Sequence, residues 1–359
     1  MNLKAYIRKL LYNYRLGKQR KWAVSVEKQN LDVLILQKLS KQETREVFKQ
    51  WGSLGLKINP LFYRMFKTVE GFDPKYLSDD LFYPLIIRSL NPLNYSLSFE
   101  HKGFYSFLFN EIKQPKNYVK KIRGVFYDSD MNVIKESDAV DYLRESVKSF
   151  IIKPTKNSCM GRNIRKIDVG NDCDLVGIFR EYGNDFVIQQ VLKQSSQTSV
   201  YNKSSLNTFR VSSLYLNGVI SICSIVLRCG QGEVFIDNCG AGGLLVGVDE
   251  KGYLREYAYD NKYHRHKQTE EGIEFRGKYI QGVAKIIGMV KKYHPKYFPN
   301  LGFIGWDICL NSEDEPVLIE VNLEFPGIQI EQLGVGKPIF GDRTDEVIDF
   351  VNRNKKDII

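Results

Sequence analysis

Two apolar runs, NTFRVSSLYL (207–216) and VISICSIVLR (219–228), meet at Asn217-Gly218. An Asn-Gly pair supplies the two positive-φ positions of a tight hairpin turn, so the runs are expected to pair antiparallel. Parallel neighbours would need a crossover of a dozen or more residues between them. The same signal recurs. YVKKIRGVFYD and MNVI flank the turn-rich DSDMN, GAGGLLVGVD leads into a further hairpin, and GFIGWDICL and PVLIEVN flank the polar NSEDE. Between these strands lie helical patterns. Asn59-Pro60 opens LFYRMFKTV, Ser78 is placed to cap DDLFYPLIIRSL with Pro84 forcing a break or a later start, and EHKGFYSFLFNEI reads as a short helix. Ser137 fits as the cap of DAVDYLRESV, and DCDLVGIFREY, GKYIQGVAKIIGMVKKY and TDEVIDFVNRNKK complete the set. SFIIKP and FVIQQVL are short buried strands. The fold class is α+β, with a mostly helical region over 1–115 and strand-rich units over 116–195 and 196–359.

The hairpin Gly305–Asn322 carries polar side chains where a buried strand should have none. An apolar run delivers Asp307, and a second delivers Glu320, Val321 and Asn322. Side chains two apart share a face of a strand. A turn symmetric about Glu313 and Asp314 sets residue 307 opposite residue 320, so Asp307, Glu320 and Asn322 meet on one face. Converging carboxylates repel unless a cation lies between them. Three readings follow: the acids hold a hard divalent ion such as magnesium, for which carboxylate and amide oxygens are suited, they form an exposed polar face of the hairpin, or they pair with strand arginines such as Arg210 or Arg228.

A second pattern is Ile151-Ile152-Lys153-Pro154 followed by TKNSCMGRNI. A lysine at a strand end before small and polar residues can hold phosphates with its ammonium and the loop's backbone amides, which brings in Ser158 and Gly161. Neither GxxxxGK[ST] nor GxGxxG occurs in the chain. Downstream, FVIQQVL reads either as a core strand or as a hinge around Gln189. There, backbone groups of Gln190 and Leu192 would meet the edge of a flat heterocycle.

Composition narrows the partners. The net charge of +10 asks for an anionic partner or substrate. The first 21 residues carry seven Lys or Arg and no acid, with Leu3, Ile7, Leu10, Leu11 and Tyr14 at helical spacing. This basic amphipathic helix either docks on the body of the protein or contacts an anionic membrane surface, as a peripheral attachment at the inner face of the membrane. No nucleic-acid signature accompanies the charge, so nucleic acid is not expected as a partner. The six cysteines show no CxxC pair and no framework spacing, which suits a reducing cytoplasm. His264 and His266 have HxH spacing but sit in a basic loop, and no metal is assigned to them. His101 and His294 lack evident partners. Cys159 lacks an evident base and is read as a small loop residue.

Taken together, the chain resembles the ATP-grasp superfamily, and within it the sugar-transfer-associated branch found alongside polysaccharide biosynthesis. The matching residues are Ile152-Lys153-Pro154 with the loop to Gly161, Gln189-Gln190-Val191, and Asp307 with Glu320-Val321-Asn322. NTFRV, VLRCG, DNCGAGGLLVGVD, the NPLNYSLSFEHKGFYSFLF region and GKPIF are similar to that branch in particular. The resemblance implies an ATP-grasp fold, with ATP between a lid lobe (116–195) and a larger carboxy-terminal lobe (196–359). It implies that Lys153 contacts the α- and β-phosphates and that Asp307, Glu320 and Asn322 hold one or two Mg²⁺. Arg210 and Arg228 lie near the γ-phosphate or the acceptor. An earlier ATP-contacting lysine is drawn from Lys102, Lys116, Lys120 and Lys121, with the hairpin position favouring Lys120 or Lys121. SCMG is poorer in glycine than the superfamily pattern, and Gln190 stands where an acid is common.

The implied activity is an ADP-forming ligase that joins a small-molecule carboxylate to an amine or other nucleophile. Its acceptor would be a sugar acid or glycan precursor. The alternatives are a small-molecule or sugar kinase on the same fold and a non-catalytic accessory protein of glycan assembly.

Overall fold

The computed structural model describes residues 3–31, 34–156, 163–170, 172–233 and 237–355. Helices dominate the first part. Ser40 and Glu43 form a reciprocal capping box at the start of Lys41–Trp51, and the Asn59 side chain accepts from the Leu61 amide at the start of Pro60–Val69. Ser78 precedes the next helical stretch without capping it through its hydroxyl. Pro84 is accommodated rather than breaking the helix. The backbone widens into a π turn over Phe82–Ile86, between α-helical pieces Asp79–Leu81 and Ile87–Leu90.

Three further expectations need correction. The segment from Glu100 is a 3₁₀ turn, Lys102–Phe104, and one α turn, Tyr105–Leu108, not one helix. Its start is held by the Lys102 amide bonding the Thr155 carbonyl, which ties it to the next lobe. The helix expected from Ser137 begins at Glu136, where the Asp138 carboxylate accepts from the Lys135 amide. The helix expected from Gly277 begins at Val283, because Tyr279 is instead drawn into a bridge with Tyr253.

Two antiparallel sheets follow. The first runs in the order β3-β2-β1-β6-β4-β5. Its strands are β1 (Asn117–Ile122), β2 (Val125–Tyr127), β3 (Val133–Ile134), β4 (Ser149–Pro154), β5 (Arg165–Asp168) and β6 (Phe186–Gln190). Val119, Phe150, Ile152, Phe186 and Ile188 bury one face of this sheet against Ala139, Leu143, Leu175 and Phe179 of two helices. Each such large side chain contributes roughly 1.5–3 kcal/mol when fully buried.

The second sheet runs β11-β10-β9-β8-β7-β12-β13. Its strands are β7 (Thr208–Leu216), β8 (Val219–Cys229), β9 (Leu244–Val248), β10 (Leu254–Tyr259), β11 (Arg265–His266), β12 (Phe303–Leu310) and β13 (Pro316–Asn322). Asn217 and Gly218 both have positive φ at the β7–β8 turn, as a two-residue hairpin requires. Ile304, Trp306, Ile308 and Leu310 alternate onto the face covered by the helix Val283–Tyr297. The period of two therefore turns Asp307 to the opposite face. The N-terminal helices pack with the closing helix Thr344–Asn354 around Phe303, Leu214 and Leu216. The architecture is the expected α+β one, two sheet-bearing lobes preceded by helices.

Candidate active site

The acidic hairpin has the register that brings its polar residues together. Asp307 pairs with Glu320 and Gly305 with Asn322. Past Asp307 the register shifts by one, so that Ile308 faces Leu318, and the bulge leaves Ile319 as the extra residue. Asp307 is 6% exposed. Arg210 grips it in a fork, Nε to Oδ1 at 2.6 Å and one terminal nitrogen to Oδ2 at 3.2 Å. Arg228 approaches Oδ1 at 3.2 Å, and Asn322 Nδ2 donates to Oδ2 at 3.2 Å. Burial alone would push this carboxyl up, but the two guanidinium charges outweigh it and hold the group at about 2.

A further layer fixes the arginines. Arg210 also donates to the Pro326 carbonyl and lies 3.5 Å from buried Glu331. Glu331 itself accepts from Ser212 at 2.6 Å and Ser224 at 2.9 Å. Arg228 donates to the Thr208 hydroxyl, which in turn donates to Asp237. Gly305 matters because a Cβ there would stand 2.9 Å from Pro326 Cβ and push away the loop whose carbonyl Arg210 uses.

The facing lobe contributes cations. Lys153, at the end of β4, is 5% exposed, and burial, then the neighbouring Lys102 charge, lower its ammonium to about 8. Lys102 is 4% exposed and meets Glu320 at 2.6 Å. Lys120, favoured from sequence, is buried, its ammonium donates to Ser106 at 2.7 Å, and it stops short of the cavity lining. Lys120 pairs with Val187, which pairs with Lys153, so the strand alternation sets Lys120 on the same sheet face as Lys153, opposite the core face of Val119, Ile152 and Ile188. Gln189 donates to Asn117 at 2.9 Å, and the Gln190 amide is already bonded to the Lys116 carbonyl. β6 ends at Gln190, short of the strand expected to run to Leu192. Ser158, Cys159 and Gly161 lie outside the described residues.

These groups line one cavity of about 440 Å³ between the sheets. Its lining combines apolar residues, among them Pro115, Ile151, Leu192, Leu206 and Ile319, with Gln189 and Gln190. It also holds the charged and polar groups of Lys102, Lys153, Arg210, Arg228, Asp307, Glu320 and Asn322. Sequence reasoning missed Thr208, Asp237 and Glu331. A Glu in QIEQLG reads as a surface helix charge, and only the facing Ser212 and Ser224 hint at its burial. Asp307 meets Arg210 and Arg228 as the pairing reading expects, Glu320 meets Lys102, and both carboxylates line the cleft.

The donor chemistry fits a hard divalent ion. Asn322 uses its nitrogen toward Asp307 and the Gly305 carbonyl, which leaves its oxygen as a donor. Among the described residues no group of three or more His, Cys, Asp or Glu could hold a metal unaided. Such an ion would rely on phosphate oxygens and water to complete its shell, as Mg²⁺ does.

The histidines are structural. His294 is buried between Ser213 and the Leu301 carbonyl, and burial lowers it to about 4. His264 and His266 both contact Asp260. His101 lies 3.8 Å from Asp185. The described cysteines are all free thiols.

The sequence profile of sugar-transfer associated ATP-grasp proteins matches residues 86–347. No curated protein matches the chain. Among solved structures, the L-amino acid ligase from Bacillus licheniformis is 12% identical, over 66% of this chain and 43% of that one, with a TM-score of 0.37. The ATP-grasp ligase PsnB, complexed with a phosphomimetic variant of its minimal precursor, Mg and ADP, is 13% identical over 73% and 61%, with a TM-score of 0.43. D-alanyl-alanine synthetase A from Vibrio cholerae is 13% identical over 74% and 65%, with a TM-score of 0.40. The chain thus spans less than two thirds of the length of each, and likeness at this level transfers neither reaction nor substrate. The profile match covers most of the chain, from the end of the helical region to the closing helix: the protein belongs to the sugar-transfer-associated ATP-grasp family.

Proposed function

We propose that the protein is an ATP-dependent, ADP-forming ligase that activates a carboxylate as an acylphosphate for attack by an amine. The observation that carries this reading is one cleft whose lining brings apolar residues and Gln190 together with Lys102, Lys153, Asp307, Glu320 and Asn322. Residues 116–195 would be the lid and 196–359 the lobe that carries the acids.

The heterocycle of ATP fits among the apolar residues. The Gln190 carbonyl and the Leu192 amide remain for its edge, because the Gln190 amide is engaged by Lys116. Lys153 would hold the phosphates together with the loop bearing Ser158 and Gly161, and the second cation would be Lys102, which lines the cleft, or Lys120, which shares the sheet face of Lys153. A divalent ion held by Asp307, Glu320 and Asn322 would supply charge neutralisation at the β- and γ-phosphates. The substrate carboxylate oxygen attacks the γ-phosphorus, and the bond to the ADP oxygen breaks. Arg210 and Arg228, fixed by Asp307, would stabilise the transferred phosphoryl group or orient the acceptor. The amine then attacks the acyl carbon, phosphate leaves with the C–O electron pair, and the nitrogen loses a proton. Positioning and charge carry such chemistry, with little covalent participation by the protein. A sugar acid or glycan precursor as acceptor, and a cytoplasmic setting, belong to this reading through the family.

The test is ADP release across carboxylate candidates, with hydroxylamine added. A hydroxamate formed in step with ADP supports the ligase. ADP release with a phosphorylated product and no hydroxamate identifies a kinase instead. A Glu320→Gln variant retaining most activity would contradict both.

A further inference from the structure

The helix Leu3–Asn30, the longest among the described residues, supplies no residue to the cleft lining. One side of it is committed to the body of the protein. Ala23 and Glu27 are buried, Arg20 meets Asp80 at 2.7 Å, and Tyr263 donates to Glu27 at 2.7 Å. At about 100° per residue, Ile7, Leu10, Leu11 and Tyr14 occupy an arc of about 100°, centred about 170° from Ala23 and Glu27. These four side chains are 47%, 51%, 51% and 70% exposed. The docked side prevents the helix from rolling to bury them. Lys18 and Lys21 fall in the same arc, Arg15 borders it, and all three are exposed. No acid precedes Glu27 in the sequence, and Glu27 is itself buried.

We infer that this outward stripe seats the protein on an anionic lipid surface, independently of the reaction proposed above. Apolar side chains flanked by exposed cations are what a helix lying in the headgroup region presents, with lysine stems running along the apolar boundary. A second copy of the chain would bring Arg15, Lys18 and Lys21 against their own kind, whereas anionic headgroups complement them. The helix lies on the bilayer rather than in it, for no described helix is long and apolar enough to cross a membrane. Trp22 of the same helix packs at 6.1 Å on Phe325, a residue of the cleft lining, so the seat adjoins the mouth of the cleft.

The test is co-sedimentation of the full chain with vesicles of phosphatidylcholine alone and of phosphatidylcholine with phosphatidylserine. Binding to the anionic vesicles only, weakened by salt, is expected. Lys18→Glu with Lys21→Glu should weaken it by about fivefold or more per residue. Leu10→Asp with Leu11→Asp should abolish it, with both double variants keeping the parent melting temperature. Absence of binding to anionic vesicles, equal binding to neutral ones, or binding that survives both double variants would overturn the inference. So would a dimer in light scattering that Leu10→Asp with Leu11→Asp dissociates while lipid binding is absent.

Discussion

The two walls of the cleft handle charge in opposite ways. On the seven-stranded side, Asp307 is held by two arginines and an amide, and those arginines are held in turn by Thr208, Pro326 and Glu331. That wall is internally neutralised and fixed before anything binds. On the six-stranded side, Lys153 is buried, its ammonium is lowered by that burial, and among the described residues no ion pair engages it. One wall is preorganised, and the other bears a charge that gains its partner from a ligand. A polyanion entering the cleft relieves the second wall without dismantling the first.

The contrast is broken most forcefully at Asp307. Asp307→Asn leaves Arg210 and Arg228 short of their main partner, and removing one member of such a buried pair costs about 3–5 kcal/mol. A markedly lower melting temperature is expected, together with ADP release reduced at least about a hundredfold. Lys153→Met should act in the opposite sense on stability. Deleting an uncompensated buried ammonium leaves the melting temperature unchanged or raised in calorimetry, while ATP binding is lost.

The same lysine sets a pH dependence. Its folded value of about 8 lies below the ordinary lysine value, so the ligand-free ammonium is lost as pH rises through about 8. ATP affinity measured by titration calorimetry should hold below that point and decline above it. Between about 8 and about 10 the unfolded chain binds more protons at this lysine than the folded one, so its contribution to stability rises with pH. Flat affinity from pH 7 to about 9 would remove Lys153 from the phosphates.

Lys102→Ala and Lys120→Ala sharpen the assignment of the second cation. The first should weaken ATP by about tenfold, the loss of one charge-assisted contact. A loss of that size at Lys120→Ala, with Lys102→Ala unchanged, would assign the second contact to Lys120, which shares the sheet face of Lys153. The smallest effect is expected at the hinge, where Gln189→Ala removes the bond to Asn117 and should lower stability by about 1 kcal/mol in denaturant titration.

Much of the preorganised wall was legible in the sequence because it depends on local rules. The period of two is enough to put Glu320 and Asn322 on one face, but the turn is centred on Glu313 alone and would set Asp307 opposite Ile319; the bulge restores its pairing with Glu320. The bulge at Ile319 was not legible, since it takes up one residue between the turn and the site without altering the apolar pattern. The facing side was less legible. Lys102 and Lys120 are equally plain lysines in sequence, and no local period brings Lys102, from outside both sheets, into the cleft lining beside Lys153. Glu331 joins through tertiary packing of a short helix, which no local period encodes. Pro84 shows the same limit, as its π turn keeps a helix going where proline chemistry predicts a break.

The most direct test of a cleft built for a nucleotide is thermal stabilisation of the purified chain by ATP, with and without Mg²⁺, beside Lys153→Met and Glu320→Gln. The account expects a magnesium-dependent rise that both substitutions remove. No rise at saturating ATP, or a rise that survives both substitutions, would contradict it.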